Sequence, residues 1–177
     1  VSCGGFERGT IQLYTGNGKG KTTAALGAAL RALGHGKKVA MIQFMKGRLY
    51  GELAAARRLD GFIIEQHGRD EFVDSKNPAA VDRELAAAGW RRAEELVRGG
   101  GIDILILDEI NVAVAYGLIE LETVLAFMRD KPEGLELILT GRYAPEEMMA
   151  LADTVTEMRE IRHHFNRGVP ARKGIEY

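Results

Sequence analysis

Ile11-Gln12-Leu13-Tyr14-Thr15-Gly16-Asn17-Gly18-Lys19-Gly20-Lys21-Thr22-Thr23 is a short apolar run that stops at three spaced glycines and closes on a lysine and two threonines. The pattern is that of a phosphate-binding loop. The consensus G-x-x-x-x-G-K-[ST] asks for glycine at position 15; here Thr15 stands there and the glycine falls one place later, while Gly20-Lys21-Thr22 is intact. Glycines at such positions free the backbone to turn successive N–H groups inward around an anion. Lys21 then reaches the outer phosphates and the Thr22 hydroxyl ligates Mg²⁺. Such a loop works only between a strand and the N-terminus of a helix, where free N–H groups and the dipole favour phosphate. Both flanks fit: residues 10–15 read as a strand, and Ala24, Ala25, Leu26, Ala28, Ala29, Leu30 and Leu33 form a helix closed by Gly34-His35-Gly36.

Outward from the loop, strand-like and helical runs alternate, which predicts an α/β fold: one domain built on a mainly parallel sheet with helices on both faces. Strands are expected at 38–44, 62–66, 102–107 and 135–140, and helices at 50–59, after Pro78, at 120–129 and from Pro145. Asn77 is the expected cap of the helix after Pro78, with Val81, Leu85, Ala88, Ala93, Leu96 and Val97 on its buried face. The segment 68–77 is polar and aperiodic, a loop of functional length. Residues 155–161 fit neither strand nor helix periodicity.

Lys and Arg number 24 against 25 Asp and Glu, a net charge of −1, which argues against a mainly electrostatic nucleic-acid binder. Cys3 is the only cysteine, so neither a disulfide nor a cysteine zinc site is available, and a reducing cytoplasm is the expected setting. No run approaches the ~20 apolar residues of a membrane span, and the N-terminus lacks the basic and apolar regions of a signal peptide.

In open α/β sheets ligands sit outside the carboxyl ends of the strands. Four groups fall there: the phosphate loop; His67 with the 68–77 loop; Asp108-Glu109; and Thr140-Gly141-Arg142. Asp108 is the expected partner of Thr22 at Mg²⁺, since a small hard cation takes oxygen ligands. Glu109 reads as a water-activating base, a ribose partner or a solvated helix-start residue. Arg142 reads as a phosphate clamp or an exposed loop arginine, and Lys19 as a second charge beside the phosphates or a solvated lysine. The adjacent His163-His164 are poorly spaced for metal. Phe72, the one aromatic of the 68–77 loop, either packs the loop on the core or offers an apolar face to a ligand.

The chain resembles the P-loop ATP:corrinoid adenosyltransferases, also called cob(I)yrinic acid a,c-diamide adenosyltransferases. The likeness spans nearly all of it, through the 14–25 loop, Arg31 with Gly34-His35-Gly36-Lys37-Lys38-Val39, Gln43-Phe44, Lys46-Gly47, Leu107-Asp108-Glu109, Val114-Ala115-Tyr116, Leu139-Thr140-Gly141-Arg142, the 151–158 segment and the terminal Arg172-Lys173-Gly174-Ile175-Glu176-Tyr177. The shifted first glycine is itself a mark of that family. The resemblance implies a recombinase-like P-loop sheet and transfer of the 5′-deoxyadenosyl group of ATP to cobalt(I) of a reduced corrinoid, with release of triphosphate. It implies ATP contacts at Gly16, Asn17, Gly18, Lys19, Gly20, Lys21, Thr22, Thr23, Arg31, Glu109 and Arg142, with Lys21, Thr22 and Glu109 serving catalysis. Thr22 and Asp108 serve Mg²⁺, and Phe72 and His67 meet the corrinoid. A homodimer and an electron-donating flavoprotein partner are implied as well. The readings that compete are a P-loop ATPase or small-molecule kinase and, outside enzymes, a nucleotide-switched binding module.

Overall fold

The computed structural model describes residues 6–177; residues 1–5, with Cys3 and the signal-peptide reading, lie outside them. Six strands form one all-parallel sheet in the order β3-β2-β4-β5-β1-β6. They are β1 (Ile11–Thr15), β2 (Val39–Phe44), β3 (Phe62–His67), β4 (Ile104–Asp108), β5 (Glu136–Thr140) and β6 (Thr154–Glu157). Between them run α1 (Lys21–Leu33), α2 (Gly51–Ala56), α3 (Ala80–Gly99), α4 (Ile110–Ala115), α5 (Leu121–Asp130) and α6 (Glu146–Leu151). The strand bearing the phosphate loop is separated from the one ending in Asp108 by a single strand, β5. This is the recombinase-like sheet that the resemblance implies.

Strand parity sorts the side chains onto two faces. Leu13, Ala40, Ile42, Phe44, Leu105, Leu107, Leu137 and Leu139 pack beneath the layer containing α3 to α6. Val39, Met41, Ile104, Ile106 and Ile138 pack against Ala25, Ala29 and Ala32 of α1, whose short side chains bring the helix close to the sheet. The central strands β2 and β4 are buried at every position, which is why their sequences are almost unbroken apolar runs. The same parity carried to the strand ends sends Gln43 and Asp108 toward α1 and His67 toward α3.

Three segments depend on tertiary context. The 155–161 segment begins as the exposed edge strand β6, which has no covered face to impose alternation. The run 110–115, β-branched and strand-like in composition, is the short helix α4; Asn111 anchors it by donating to the Tyr14 and Gly141 carbonyls at 3.2 and 2.9 Å. Asn77 does not cap α3. Ala79 holds the cap position, and the Asp82 carboxylate accepts its N–H at 3.1 Å. The buried face of α3 is accordingly Asp82, Ala86, Gly89, Trp90 and Ala93, and Val81 is exposed.

Asp82 also accepts two hydrogen bonds from Arg69, at 2.8 and 3.0 Å, and so pins the 68–77 loop to the start of α3. At Gly68 a Cβ would lie 2.3 Å from the Lys46 backbone nitrogen, so only glycine lets this loop run against the one that follows β2. The Arg69 hydrogen bonds hold the Asp82 carboxyl below the usual carboxylate range. A depressed carboxylate stabilises the fold above its unfolded pKa and loses that contribution as pH falls through the folded one. Asp82→Ala is therefore expected to lower Tm at neutral pH by about 2–4 °C, the effect of one lost cap in a domain of this size. Asp82→Asn should flatten the acid limb of the Tm profile below about pH 4; an unchanged profile would show that the pair does not hold the loop.

Candidate nucleotide and metal site

After Thr15 the chain enters Gly16 in a left-handed conformation (φ 93°), where a Cβ would lie 2.5 Å from the Met158 carbonyl oxygen. The loop is moored to the strand end beside it: Gly18 N–H donates to that carbonyl at 2.6 Å, and Met158 N–H donates to Thr15 O at 2.9 Å. Helix α1 then starts at Lys21, so its free N–H groups face the loop. Lys21 is buried, and its Nζ donates to the carbonyls of Gly16 and Gly18, both at 2.7 Å. Burial pulls its pKa down, opposed by the charges of Glu109 and Asp108. The ammonium thus lies inside the loop, held by carbonyls that phosphate oxygens can replace.

Asp108 is completely buried. Its Oδ1 accepts from Thr22 Oγ1 at 2.9 Å and from Thr140 Oγ1 at 2.7 Å. Its Oδ2 accepts from Lys46 Nζ at 2.7 Å and from Gln43 Nε2 at 3.2 Å. Gln66 continues the chain, donating to Gln43 Oε1 at 3.1 Å, because register sets Gln66, Gln43 and Asp108 side by side on β3, β2 and β4. A hydroxyl and a carboxylate at this spacing suit Mg²⁺, which draws its remaining ligands from phosphates and water. Two oxygens are what the chain offers: among the described residues no group of three His, Cys, Asp or Glu could hold a metal ion. The Lys46 ammonium beside both oxygens shows that the position accepts positive charge.

A cavity of about 460 Å³ opens above the loop, lined by 17–23, Lys46, Tyr50, Glu109, Arg142 and the chain end. Glu109 and Arg142 are thereby brought to the phosphates' side, and the Arg142 guanidinium lies 3.4 Å from the Asn17 carbonyl. Burial, then the neighbouring Asp108, pushes the Glu109 carboxyl above the usual range, against Lys46, Lys21 and Arg142. Lys19 lies 3.2 Å from Glu176, tying the loop to the chain end. Arg172 contributes most to holding the Glu176 carboxyl at about 2. Asn17, Gly18, Gly20 and Thr23 line the cavity, while Gly16 stands outside its lining and acts through the carbonyl that holds Lys21.

Two expected residues do not join the site within one chain. Arg31 sits in the last turn of α1, roughly 15 Å along the helix from Lys21, and lines a separate hollow with Phe6 and Glu136. His67 is turned toward α3; a Cβ on Gly89 would touch its side chain at 2.9 Å, and burial lowers its pKa. Phe72, by contrast, is 97% exposed, so it does not anchor the loop on the core. It lines a hollow of about 150 Å³ with Met45, Tyr50 and Tyr116, and Lys46 and Tyr50 border both this hollow and the nucleotide cavity.

The sequence reading quoted Gln43, Lys46 and the chain end for the resemblance but gave them no role, and it did not pair Thr140 with Asp108. The rule that found Asp108 after β4 finds Lys46 after β2 when it is applied to that strand. Among the described residues the left-handed non-glycine positions are Met45, Glu109 and Tyr143, each just past a strand end of the crevice. Strain of this kind concentrates at functional sites.

Fold and site define a P-loop nucleotide-binding protein in which the loop threonine donates to a buried aspartate at the end of β4. The chain matches the family model "ATP:corrinoid adenosyltransferase BtuR/CobO/CobP" over residues 7–177, and it belongs to that family. It is 40% identical to the corrinoid adenosyltransferase of Escherichia coli strain K12 over 179 aligned residues, spanning 97% of this chain and 87% of that one. It is 38% identical to the corrinoid adenosyltransferase of Pseudomonas aeruginosa over 172 residues, spanning 97% and 85%. The crystal structure of a KaiC-like protein from Pyrococcus horikoshii superposes with a TM-score of 0.53 at 18% identity, covering 88% of this chain and 75% of that one, and shows the shared fold.

A raised carboxyl pKa means that the folded state holds a proton the unfolded state has released, so stability falls as pH rises above the unfolded carboxylate range. Glu109→Gln is expected to raise Tm at neutral pH and to flatten that decline. A lower Tm for the glutamine variant would show that Glu109 is a net stabiliser of the nucleotide-free protein.

Proposed function

We propose that this chain transfers the 5′-deoxyadenosyl group of ATP to cobalt(I) of a corrinoid and releases inorganic triphosphate. The observation that carries the reading is the adjacency of two hollows of different chemistry. One is a cationic loop that fits a triphosphate; the other is a recess that sets Met45, Phe72, Val73 and Tyr116 among charged side chains, and Lys46 and Tyr50 form their shared wall. A substrate bridging them has its phosphates fixed on one side and its ribose carbon directed to the other.

Cobalt(I) attacks the ribose 5′ carbon, its electron pair forms the cobalt–carbon bond, and the C5′–O bond breaks with its electrons leaving on triphosphate. No side-chain base is needed. The protein's tasks are alignment and stabilisation of charge on the leaving group. Lys21 and the N–H groups of 16–22 meet that charge, and Arg142 closes on it from the β5 side. Thr22 and Asp108 would hold Mg²⁺, which neutralises charge on the phosphates when bound. Glu109, half-buried and of raised pKa, fits a hydrogen bond to the ribose; it is also the group a hydrolytic ATPase would use as base. Phe72 offers the corrinoid an apolar face in place of its lower axial ligand, easing the reduction of cobalt(II). Homodimer formation, an electron-donating flavoprotein and a cytoplasmic setting belong to the same proposal. Among the described residues no helix is long and apolar enough to cross a membrane.

Anaerobic incubation with ATP, Mg²⁺ and chemically reduced corrinoid is expected to yield triphosphate and a cobalt–carbon bond. Lys21→Ala should cut the rate by the ~10²–10³-fold typical of a lost oxyanion donor. ADP as the product, or a fast corrinoid-independent ATPase abolished by Glu109→Gln, would replace adenosyl transfer with phosphoryl transfer. Phe72→Ala is expected to slow transfer that starts from cobalt(II) far more than transfer from pre-reduced cobalt(I), with ATP affinity unchanged. Equal losses from both starting states would remove Phe72 from the reduction step.

A further inference from the structure

Lys46 stands where a cation is needed. Its Nζ is 2.7 Å from Asp108 Oδ2 and 3.5 Å from Thr22 Oγ1, and its side chain is 15% exposed. The other donors to Asp108, from Thr22, Thr140 and Gln43, are uncharged, so among the described residues this ammonium is the only formal charge hydrogen-bonded to that carboxylate, whose exposure is zero. A buried carboxylate without such a partner is strongly unfavourable. Yet the two oxygens beside Nζ are the pair that fits Mg²⁺. A dication seated between Thr22 Oγ1 and Asp108 would meet the ammonium, which is 3.5 Å from that hydroxyl, and like charges so close repel strongly away from bulk water.

The geometry also gives Lys46 somewhere to go. It leaves β2 just after Met45, its stem runs beside Tyr50 with Nζ 5.3 Å from the ring centroid, and it lines the nucleotide cavity. A lysine stem is flexible enough to turn from the cavity floor toward its opening. We propose that Lys46 is an exchangeable counter-ion of the metal position: in the nucleotide-free protein its ammonium neutralises Asp108 and keeps free divalent cations out, and arrival of a metal–triphosphate complex displaces it onto the triphosphate. Metal therefore enters with the nucleotide, and Asp108 never loses a positive partner. The cation that leaves Asp108 becomes a further ligand of the departing group, which makes Lys46 a binding residue that Lys21 and Arg142 do not duplicate. The proposal rests on the reading of Thr22 and Asp108 as the Mg²⁺ donors.

Mn²⁺ titration followed by electron paramagnetic resonance tests it on the full chain, with melting curves on the same samples. Without nucleotide, wild type is expected to bind Mn²⁺ weakly and to keep its Tm when Mn²⁺ is added. Lys46→Met should have a lower Tm in metal-free buffer, bind Mn²⁺ about tenfold or more tightly than wild type, and recover its Tm as Mn²⁺ binds. With saturating Mn²⁺ it should bind ATP about tenfold more weakly than wild type, having lost one charged phosphate contact. Lys46→Gln, which keeps a hydrogen bond to Asp108 and removes only the charge, gives the same readings should the methionine variant not fold. Equal Mn²⁺ affinity of wild type and variant without nucleotide, with ATP still recruiting Mn²⁺ to both, would overturn the counter-ion role and leave the metal site standing. Failure of Mn²⁺ to bind either protein even with ATP would overturn the metal reading and the proposal together.

Discussion

A carboxylate with no exposure holds this molecule's working end together. Charged, Asp108 would cost several kcal/mol in desolvation without partners, and it is satisfied by four donors from separate elements: Gln43 on β2, Lys46 just beyond it, Thr140 on β5 and Thr22 on α1. Each donor is within reach because parallel strands in register bring their carboxyl ends level, and because parity turns those last side chains toward α1. Misplacing one strand end by a residue would send its donor to the other face. The apolar runs of β2 and β4 are thus what sets the position of the polar site above them.

The phosphate loop was legible because its signal is local: glycine spacing, a lysine-threonine pair, and a strand and a helix on either side. Asp108 was legible because it follows the most apolar strand. The edges of the prediction failed where tertiary context outweighs local pattern. Local pattern gives no reading of 110–115, where Asn111 ties a short helix to two strand ends. The α3 start moved because Asp82 serves both its cap and Arg69, a partner that spacing alone does not reveal. Arg31, which the resemblance alone supplied, sits at the far end of a 13-residue helix, and the parity of β3 turns His67 toward α3. Lys46 was given no role although the strand-end rule reaches it.

The division of labour across the crevice follows from the same layout. Cations and N–H groups gather on the β1 and α1 side, where a triphosphate needs them. The recess with Phe72 lies beyond Lys46 and Tyr50, on a loop fixed to α3 by Arg69 and Asp82 and to the β2 end through Gly68. Met45, Glu109 and Tyr143, all left-handed, bend the chain just past three strand ends, and Lys46 after the first of them lines the cavity. For a nucleophile as strong as cobalt(I), rigid placement of this kind is the contribution the protein has to make.

The most direct measurement is a crystal structure of the full chain with Mn²⁺ and ATP, with the metal located by its anomalous signal. The account predicts the triphosphate within the 16–22 loop. It places Mn²⁺ in coordination distance of Thr22 Oγ1, with Asp108 bound to it directly or through one water. A metal peak away from Thr22 and Asp108, or a triphosphate outside the loop, would contradict it.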